Sequence, residues 1–387
     1  MLKMWEECTL IHQSKTIMFV VNAPEFFLSH RLPLAISAKS AGYEVHVATA
    51  SSPDVESIRA QGFTHHIIPF ARSGQNPLSE LKTLLQLIRL FRHIKPDLVH
   101  LITIKPVLYG GIAARIAGVR SVVSAVSGLG TVFLADSTSA KLRRWFVTRL
   151  YTAAFRQKRL AVIFQNPDDR DTLTSLGALQ PTQARMIRGS GVSLADYPFV
   201  PEPAGIYVVV MAARLLRDKG VLEFVEAARL LKQRGVKVQM RLIGSPDPGN
   251  PTSVKQQVIA QWEQEDCIQL LGFRNDIANQ YAAANIVCLP SYREGLPKSL
   301  VEAAACGRAV VTTDVPGCRD AITPDVTGLL VPVKDATSLA DAIQKLIEKP
   351  ELRKQMGQAG RALAEEAFAI EKIVDQHMNI YQELLEP

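Results

Sequence analysis

Short apolar runs that read as strands alternate with longer segments of helical periodicity along almost the whole of the 387-residue chain. This alternation restricts the fold more than any other feature. Parallel strands need a crossover of a dozen or more residues between them, usually a helix, so regular alternation implies parallel sheets with helices on both faces. In the first half, strands are read at 16–21, 44–49, 65–69, 98–102, 121–125 and 161–164, with helices at 28–41, 78–94 and 108–117. A second series of strands runs through 206–211, 238–243, 268–270, 286–289 and 309–312. Between the two series stands Tyr197-Pro-Phe-Val-Pro-Glu-Pro203, whose three prolines favour an extended linker. The expected fold class is α/β, with two doubly wound, Rossmann-like domains facing across a cleft. Their expected extents are 1–197 and 198–370, followed by a terminal helix within 371–387 that is expected to pack back on the first domain.

Composition narrows the function classes. A hydrophobic content of 47% suffices for two cores, and no apolar run reaches the roughly 18 residues that span a bilayer. The start, Met1-Leu-Lys-Met-Trp-Glu-Glu-Cys8, lacks signal-peptide architecture because acids follow at once, so a cytoplasmic location is expected. The five cysteines (8, 267, 288, 306 and 318) are odd in number and show no Cys-x-x-Cys spacing, which fits a reducing compartment and argues against structural zinc. The net charge of +7 is uneven: residues 1–200 hold 23 Lys/Arg against 13 Asp/Glu, and the remainder 21 against 24. A basic first half suggests a polyanionic surface, nucleic acid or anionic lipid. No nucleic-acid-binding module accompanies the basic residues, so lipid is preferred. The turn after the first strand, Asn22-Ala-Pro-Glu-Phe-Phe27, carries no glycine, and no Gly-x4-Gly-Lys-Ser/Thr loop occurs. Dinucleotide-dependent and P-loop chemistry are thereby disfavoured.

Two constellations suit an anionic ligand. In Glu294-Gly-Leu-Pro-Lys-Ser-Leu-Val-Glu302, two carboxylates flank a turn and the start of a small-residue helix. Pro297 is expected in the first helical turn, leaving the amides of Lys298, Ser299 and Leu300 to face a docked anion. Glu302, one turn on, would reach a pair of hydroxyls. The second constellation is Arg214 and Lys219, on the strand-to-helix turn Met211-Ala-Ala-Arg-Leu-Leu-Arg-Asp-Lys-Gly220. A guanidinium that can bind bidentately and an ammonium on one rigid turn suit a diphosphate. Asp169-Arg-Asp171 matches an Asp-x-Asp metal motif, but it reads as the acidic first turn of a helix, so no metal is expected.

Together, Ala213-Arg214-x4-Lys219-Gly220 and Glu294-x7-Glu302 resemble the retaining GT-B glycosyltransferases (group 1, family 4), which use nucleotide-activated sugars. Pro96–Pro106, Ser127-Gly-Leu-Gly130, Gln165-Asn-Pro167, Arg188-Gly-Ser-Gly-Val192 and Pro246-Asp-Pro-Gly-Asn-Pro251 look like the branch that assembles capsular and O-antigen polysaccharides. The resemblance implies roles at matching positions. Arg214 and Lys219 would neutralise the donor diphosphate, and Glu302 would bind the ribose. Glu294, with the backbone of Gly295, Leu296, Pro297, Lys298 and Ser299, would hold the donor sugar, while Gly272, Phe273 and Arg274 would frame the base. Lys298 replaces a small residue of many relatives and is expected to add a cation near the diphosphate.

The chain also departs from its relatives. Many carry His-x-His at the end of the fourth strand, with the second His on the donor sugar; here the sequence is His100-Leu-Ile102, and Lys105 is the candidate substitute. Many have a Gly-rich loop after the first strand, where this chain has Asn22, Glu25 and His30; Asn22, His30 and Ser127 are the acceptor candidates. The segment 139–159 carries seven basic residues and no acid, interleaved with Trp145, Phe146, Tyr151 and Phe155. It is read as a membrane-surface helix through Arg143, Arg144, Trp145, Phe146 and Arg149. The expected partners are a UDP-sugar donor, a lipid-linked saccharide acceptor and the anionic inner face of the cytoplasmic membrane. No cofactor is expected beyond the UDP-sugar substrate. A UDP-sugar 2-epimerase of the same architecture and a non-catalytic nucleotide-sugar or nucleic-acid binder are the alternatives.

Overall fold

The computed structural model describes residues 14–70, 77–130 and 138–386, with the side chains of 138–140 excluded. Cys8 lies outside the described residues. Strands β1 (Thr16–Val21), β2 (Glu44–Thr49), β3 (Thr64–Ile67), β4 (Leu98–Ile102), β5 (Ser121–Val126), β6 (Arg159–Phe164) and β7 (Ala184–Met186) form one sheet in the order β3-β2-β1-β4-β5-β6-β7. Strands β8 (Tyr207–Ala212), β9 (Val238–Ile243), β10 (Gln269–Gly272), β11 (Ile286–Leu289), β12 (Ala309–Thr313) and β13 (Gly328–Val331) form the other, ordered β10-β9-β8-β11-β12-β13. Their pairings are parallel. Continuous apolar runs explain why: Ile17–Val21 and Val208–Met211 are buried along their length, as strands covered on both faces must be. In each sheet the winding direction reverses beside the first strand, between β1 and β4 and between β8 and β11, which is where such folds open a crevice.

In the first domain, α1 (Pro24–His30), α2 (Leu32–Ser40) and α3 (Val55–Ala60) cover one face. The other face is covered by α4 (Pro77–Ile94), α5 (Gly111–Ala117), α6 (Thr138–Phe155) and α7 (Pro167–Ser175). Around the second sheet pack α8 (Val221–Gln233), α9 (Gln256–Glu265), α10 (Ile277–Ala282), α11 (Lys298–Ala305), α12 (Ala336–Glu348) and α13 (Pro350–Leu363). The terminal α14 (Ile370–Leu385) returns to the first domain and seals the α1–α3 face. Its buried Tyr381 hydroxyl sits 2.5 Å from His100 Nδ1 on β4. At the crossing point Val192 donates to the Phe368 carbonyl and Ile370 to that of Val192.

The single helix read at 28–41 is two helices. Arg31 leaves helical geometry at φ −132°, ψ −9°, its N–H caps α1 on the Phe27 carbonyl at 2.8 Å, and Pro33 restarts the chain as α2. Strands β7 and β13 were not legible in the sequence. The first has three partly exposed residues and the second four mostly buried ones, both too short for a periodic signal.

Candidate active site

The second domain's part of the site is built on one glycine. After β8 the chain passes Arg214 and makes a single 3-10 turn, Arg217–Lys219, before α8. Gly220 joins turn to helix at φ +74°, and a β-carbon there would lie 2.0 Å from the Pro290 carbonyl oxygen. Only glycine both adopts this backbone and lets the loop after β11 lie directly on the start of α8. The seam is closed by the Tyr292 N–H, which donates to the Asp218 carbonyl at 2.8 Å. This apposition delivers Lys219 Nζ to Glu294 Oε1 in a largely shielded ion pair. Ser291 Oγ donates to the same oxygen at 2.8 Å. An ammonium has three donors, so Lys219 keeps two beyond the one given to Glu294. Arg214 is held differently: Nη1 pairs with Asp247 Oδ2 at 2.8 Å. The Pro/Gly-rich loop around Asp247, legible only as a turn, therefore aims the guanidinium.

The cradle differs in detail from the expectation. Pro297 is the N-cap of α11, at φ −72°, ψ 120°, and not part of its first turn. The Leu300 N–H is consequently spent on the Pro297 carbonyl at 3.1 Å, and the amides of Lys298 and Ser299 have no acceptor among the described residues. These two still point along the start of the helix, where an anion is favoured. Glu302 is buried; its Oε1 accepts from the Tyr197 hydroxyl at 2.7 Å and lies 3.3 Å from Lys298 Nζ. Burial pushes the Glu302 carboxyl up, against the pull of Lys298 and the Tyr197 hydrogen bond. Oε2 remains for ligand hydroxyls. Lys298 pairs with Glu302 at i and i+4 and reaches across to the Ser29 carbonyl at 3.1 Å.

The first domain meets this cradle directly. A β-carbon on Gly295 would lie 2.3 Å from the Ser127 carbonyl oxygen and 2.6 Å from Gln165 Oε1, so the contact exists because residue 295 has no side chain. Asn166 Nδ2 donates to the Gly295 carbonyl at 2.8 Å. Asn166 also caps α7, its Oδ1 accepting the Asp169 N–H at 2.8 Å. The fully buried Asp169 takes Asn166 Nδ2 on one oxygen at 3.0 Å and Arg293 on the other. Asp171 turns outward to Arg170. The acidic stretch is thus a helix start, as read, and among the described residues no cluster suited to a metal occurs. Its further role, anchoring the residue next to Glu294, was missed, as were Ser291 and Tyr197. The helix-start signature of Asn166-Pro167 was the one available signal.

Other candidates lie further out. His30 stacks on Phe26 at 4.1 Å, with Nδ1 2.7 Å from Ser29 Oγ. Burial first, then Arg31 and Lys298, lower its pKa to about 3, so the ring is neutral near pH 7. Asn22 follows β1 and is half-buried at the same sheet edge. His100 is sealed under α14. Lys105 is tied to Glu80 of α4 at 2.6 Å. After β10, an edge strand, Gly272 leads to an exposed Phe273, while Arg274 forks onto Asp276 at 2.8 Å for both bonds. On α6, Trp145 and Phe146 are exposed and Arg149 covers the Trp145 ring at 5.3 Å, but Tyr151 and Phe155 are core residues. Their turn of the helix is not part of a membrane face. Among the described residues, no helix is long and apolar enough to cross a membrane.

Known proteins resemble this chain along most of its length. The profile of "Glycosyl transferases group 1" matches residues 198–363, and that of "Glycosyl transferase 4-like" matches 16–166. The chain is 28% identical over 384 residues to the Campylobacter jejuni N,N'-diacetylbacillosaminyl-diphospho-undecaprenol alpha-1,3-N-acetylgalactosaminyltransferase, covering 93% of this chain and 98% of that one. It is 25% identical to the Escherichia coli UDP-Gal:alpha-D-GlcNAc-diphosphoundecaprenol alpha-1,3-galactosyltransferase, over 80% of this chain and 81% of the other. Among solved structures, Anabaena HepE in complex with UDP-glucose superposes with a TM-score of 0.76 at 21% identity, covering 95% of this chain and 99% of that one. Sucrose-phosphate synthase from Thermosynechococcus elongatus gives 0.77 at 21%, covering 96% and 99%. The two profiles together span both domains on either side of the cleft, and the chain is therefore a member of the group 1 glycosyltransferases, with the GT-B fold.

Proposed function

We propose that the protein transfers a hexose or N-acetylhexosamine-type sugar from a UDP-sugar to a polyprenyl-diphosphate-linked saccharide, with retention of anomeric configuration. The observation that carries this reading is the Lys219–Glu294 pair set beside Arg214 and the α11 amides, directly opposite Ser127 and Asn166 of the other domain. The relatives that act on diphosphoundecaprenol-linked sugars support the acceptor class, and the neighbour solved with UDP-glucose supports the donor class.

In this reading Glu302 Oε2 binds the ribose and Glu294 the donor sugar. When the bond from the anomeric carbon to the β-phosphate oxygen breaks, negative charge grows on that oxygen. Lys219, Arg214 and the α11 amides are already in place to receive it, so little reorganisation is needed. The acceptor hydroxyl forms the new bond on the same face, and its proton passes to the departing phosphate. No side-chain base is required in this scheme. Peripheral membrane association through the exposed start of α6 completes the proposal.

The test is incubation with a panel of UDP-sugars and a short polyprenyl-diphosphate saccharide. Acceptor-dependent UDP release with a lengthened lipid product supports the reading. Interconversion of free UDP-sugars without acceptor would instead mark an epimerase, and binding without turnover a non-catalytic protein.

A further inference from the structure

The proline-rich segment that joins the two domains is not a free tether. It is fastened to the second domain at successive points. Arg361 of α13 gives Nη1 both to the Tyr197 carbonyl, at 3.0 Å, and to the Ala305 carbonyl at the end of α11, at 2.8 Å. A β-carbon on Gly307 would run into the Phe199 ring, so that ring sits against the turn that closes α11. The buried Arg308 donates to the Val200 carbonyl at 3.0 Å, and Glu202 pairs with the buried Arg353 at 2.8 Å. The start of the linker is therefore cross-linked to the helix that carries Glu302, and the Tyr197 side chain is held beside that helix.

What that side chain does follows from counting acceptor sites. An ionised carboxylate offers about four lone-pair sites, two on each oxygen. On Glu302, Oε1 takes the Tyr197 hydroxyl at 2.7 Å and stands 3.3 Å from Lys298 Nζ, and both donors favour the ionised form. Both sites of Oε1 are thus occupied. Oε2 has no donor among the described residues, and its two sites match the two adjacent hydroxyls of a ribose. The terminal torsion of a glutamate is broad, so the carboxylate plane turns unless a fixed donor holds one oxygen. Lys298 is not that donor, because its ammonium also reaches the Ser29 carbonyl of the other domain at 3.1 Å. The neighbouring Cys306 and Tyr281 carry no charge: burial pushes the thiol up to about 11 and the phenol well above its ordinary 10. The Tyr197 hydroxyl, carried on the fastened linker, is left to set the plane.

We propose that Tyr197 is a positioning residue of the donor site: its hydroxyl occupies Oε1 of Glu302 and so presents Oε2, with both acceptor sites open, to the paired hydroxyls of the donor ribose. The interdomain linker thereby takes part in nucleotide recognition and sets the preference for ribose over deoxyribose. The proposal rests on the reading of this site as one for a UDP-sugar.

The test is calorimetry on the full chain with UDP and with 2′,3′-dideoxy-UDP, which lacks the diol. The parent is compared with Tyr197→Phe, Glu302→Ala and the double variant. The parent is expected to bind UDP at least about tenfold more tightly than the dideoxy nucleotide, since a site built to hydrogen-bond a hydroxyl rejects the analogue without it. Tyr197→Phe is expected to lose about tenfold in UDP affinity and little for 2′,3′-dideoxy-UDP, so that the preference collapses. In the Glu302→Ala background the same change should have no further effect, as for two residues that act through one contact. Parent-like preference in Tyr197→Phe would overturn the proposal. Equal losses for both nucleotides would also overturn it, because they mark a purely structural role. Failure of the parent to bind UDP at all would overturn the donor reading itself, and the proposal with it.

Discussion

Lys219 and Glu294 serve as each other's counter-ion, and this fixes how their loss should be felt. In the proposed reading Lys219→Ala removes a cation from the leaving group and leaves the shielded Glu294 carboxylate with Ser291 as its remaining side-chain partner among the described residues. Turnover should fall about 10²–10³-fold with a much smaller change in UDP-sugar KM, because the lost contact strengthens as charge develops. Glu302→Ala should do the reverse, raising KM with kcat little changed, since ribose contacts are the same in ground and transition states. Steady-state UDP release with both variants checks the split. The spacing Glu294-x7-Glu302 and the pair Arg214/Lys219 were legible in the sequence because each lies on one short, rigid segment. The direction of Lys298 was not, since its second partner is the Ser29 carbonyl, 269 residues away. The Arg293–Asp169 pair was hidden for the same reason, at a separation of 124.

At the scale of elements, close approach and burial decide the outcome. Gly295→Ala would put a methyl group 2.3 Å from the Ser127 carbonyl, which the domains relieve only by parting. UDP binding, built on the second domain, should survive in this variant while transfer is lost; calorimetry with UDP beside a transfer assay reads the two separately. Helix α14 makes a pH prediction. Burial holds His377 at about 3 and His100 well below its ordinary value of 6.5, with the Arg31 cation adding to both. Both rings are neutral when folded and take up protons when unfolded. Their contribution is therefore complete above pH 6.5 and is lost as pH falls from there towards 3. The melting temperature should drop between about pH 7 and about pH 5, and His377→Gln should flatten that slope. The amphipathic pattern of α14 was readable from the sequence. Its partners on the first domain, Tyr381 against His100 and Phe19, were not, because they depend on tertiary contacts.

At the scale of the whole molecule, two sheets present their C-terminal edges to one another, and the alternation of apolar runs announced both of them. What the sequence left dark is how the edges meet: through Gly295 on Ser127, Asn166 on Gly295 and Arg293 on Asp169. These contacts place the first domain against the segment proposed to hold the donor sugar. Asp169→Asn weakens the buried pair while keeping the shape of the α7 start. It should lower kcat about tenfold or more while leaving UDP affinity nearly unchanged, as expected for a group that acts through positioning. The central claim, retentive transfer from a UDP-sugar to a lipid-linked saccharide, is tested most directly by NMR of the product. The anomeric proton of the newly added residue should show the α configuration of the donor, with UDP released one-for-one. A β-linked product, or UDP-sugar interconverted with no acceptor present, would contradict the account.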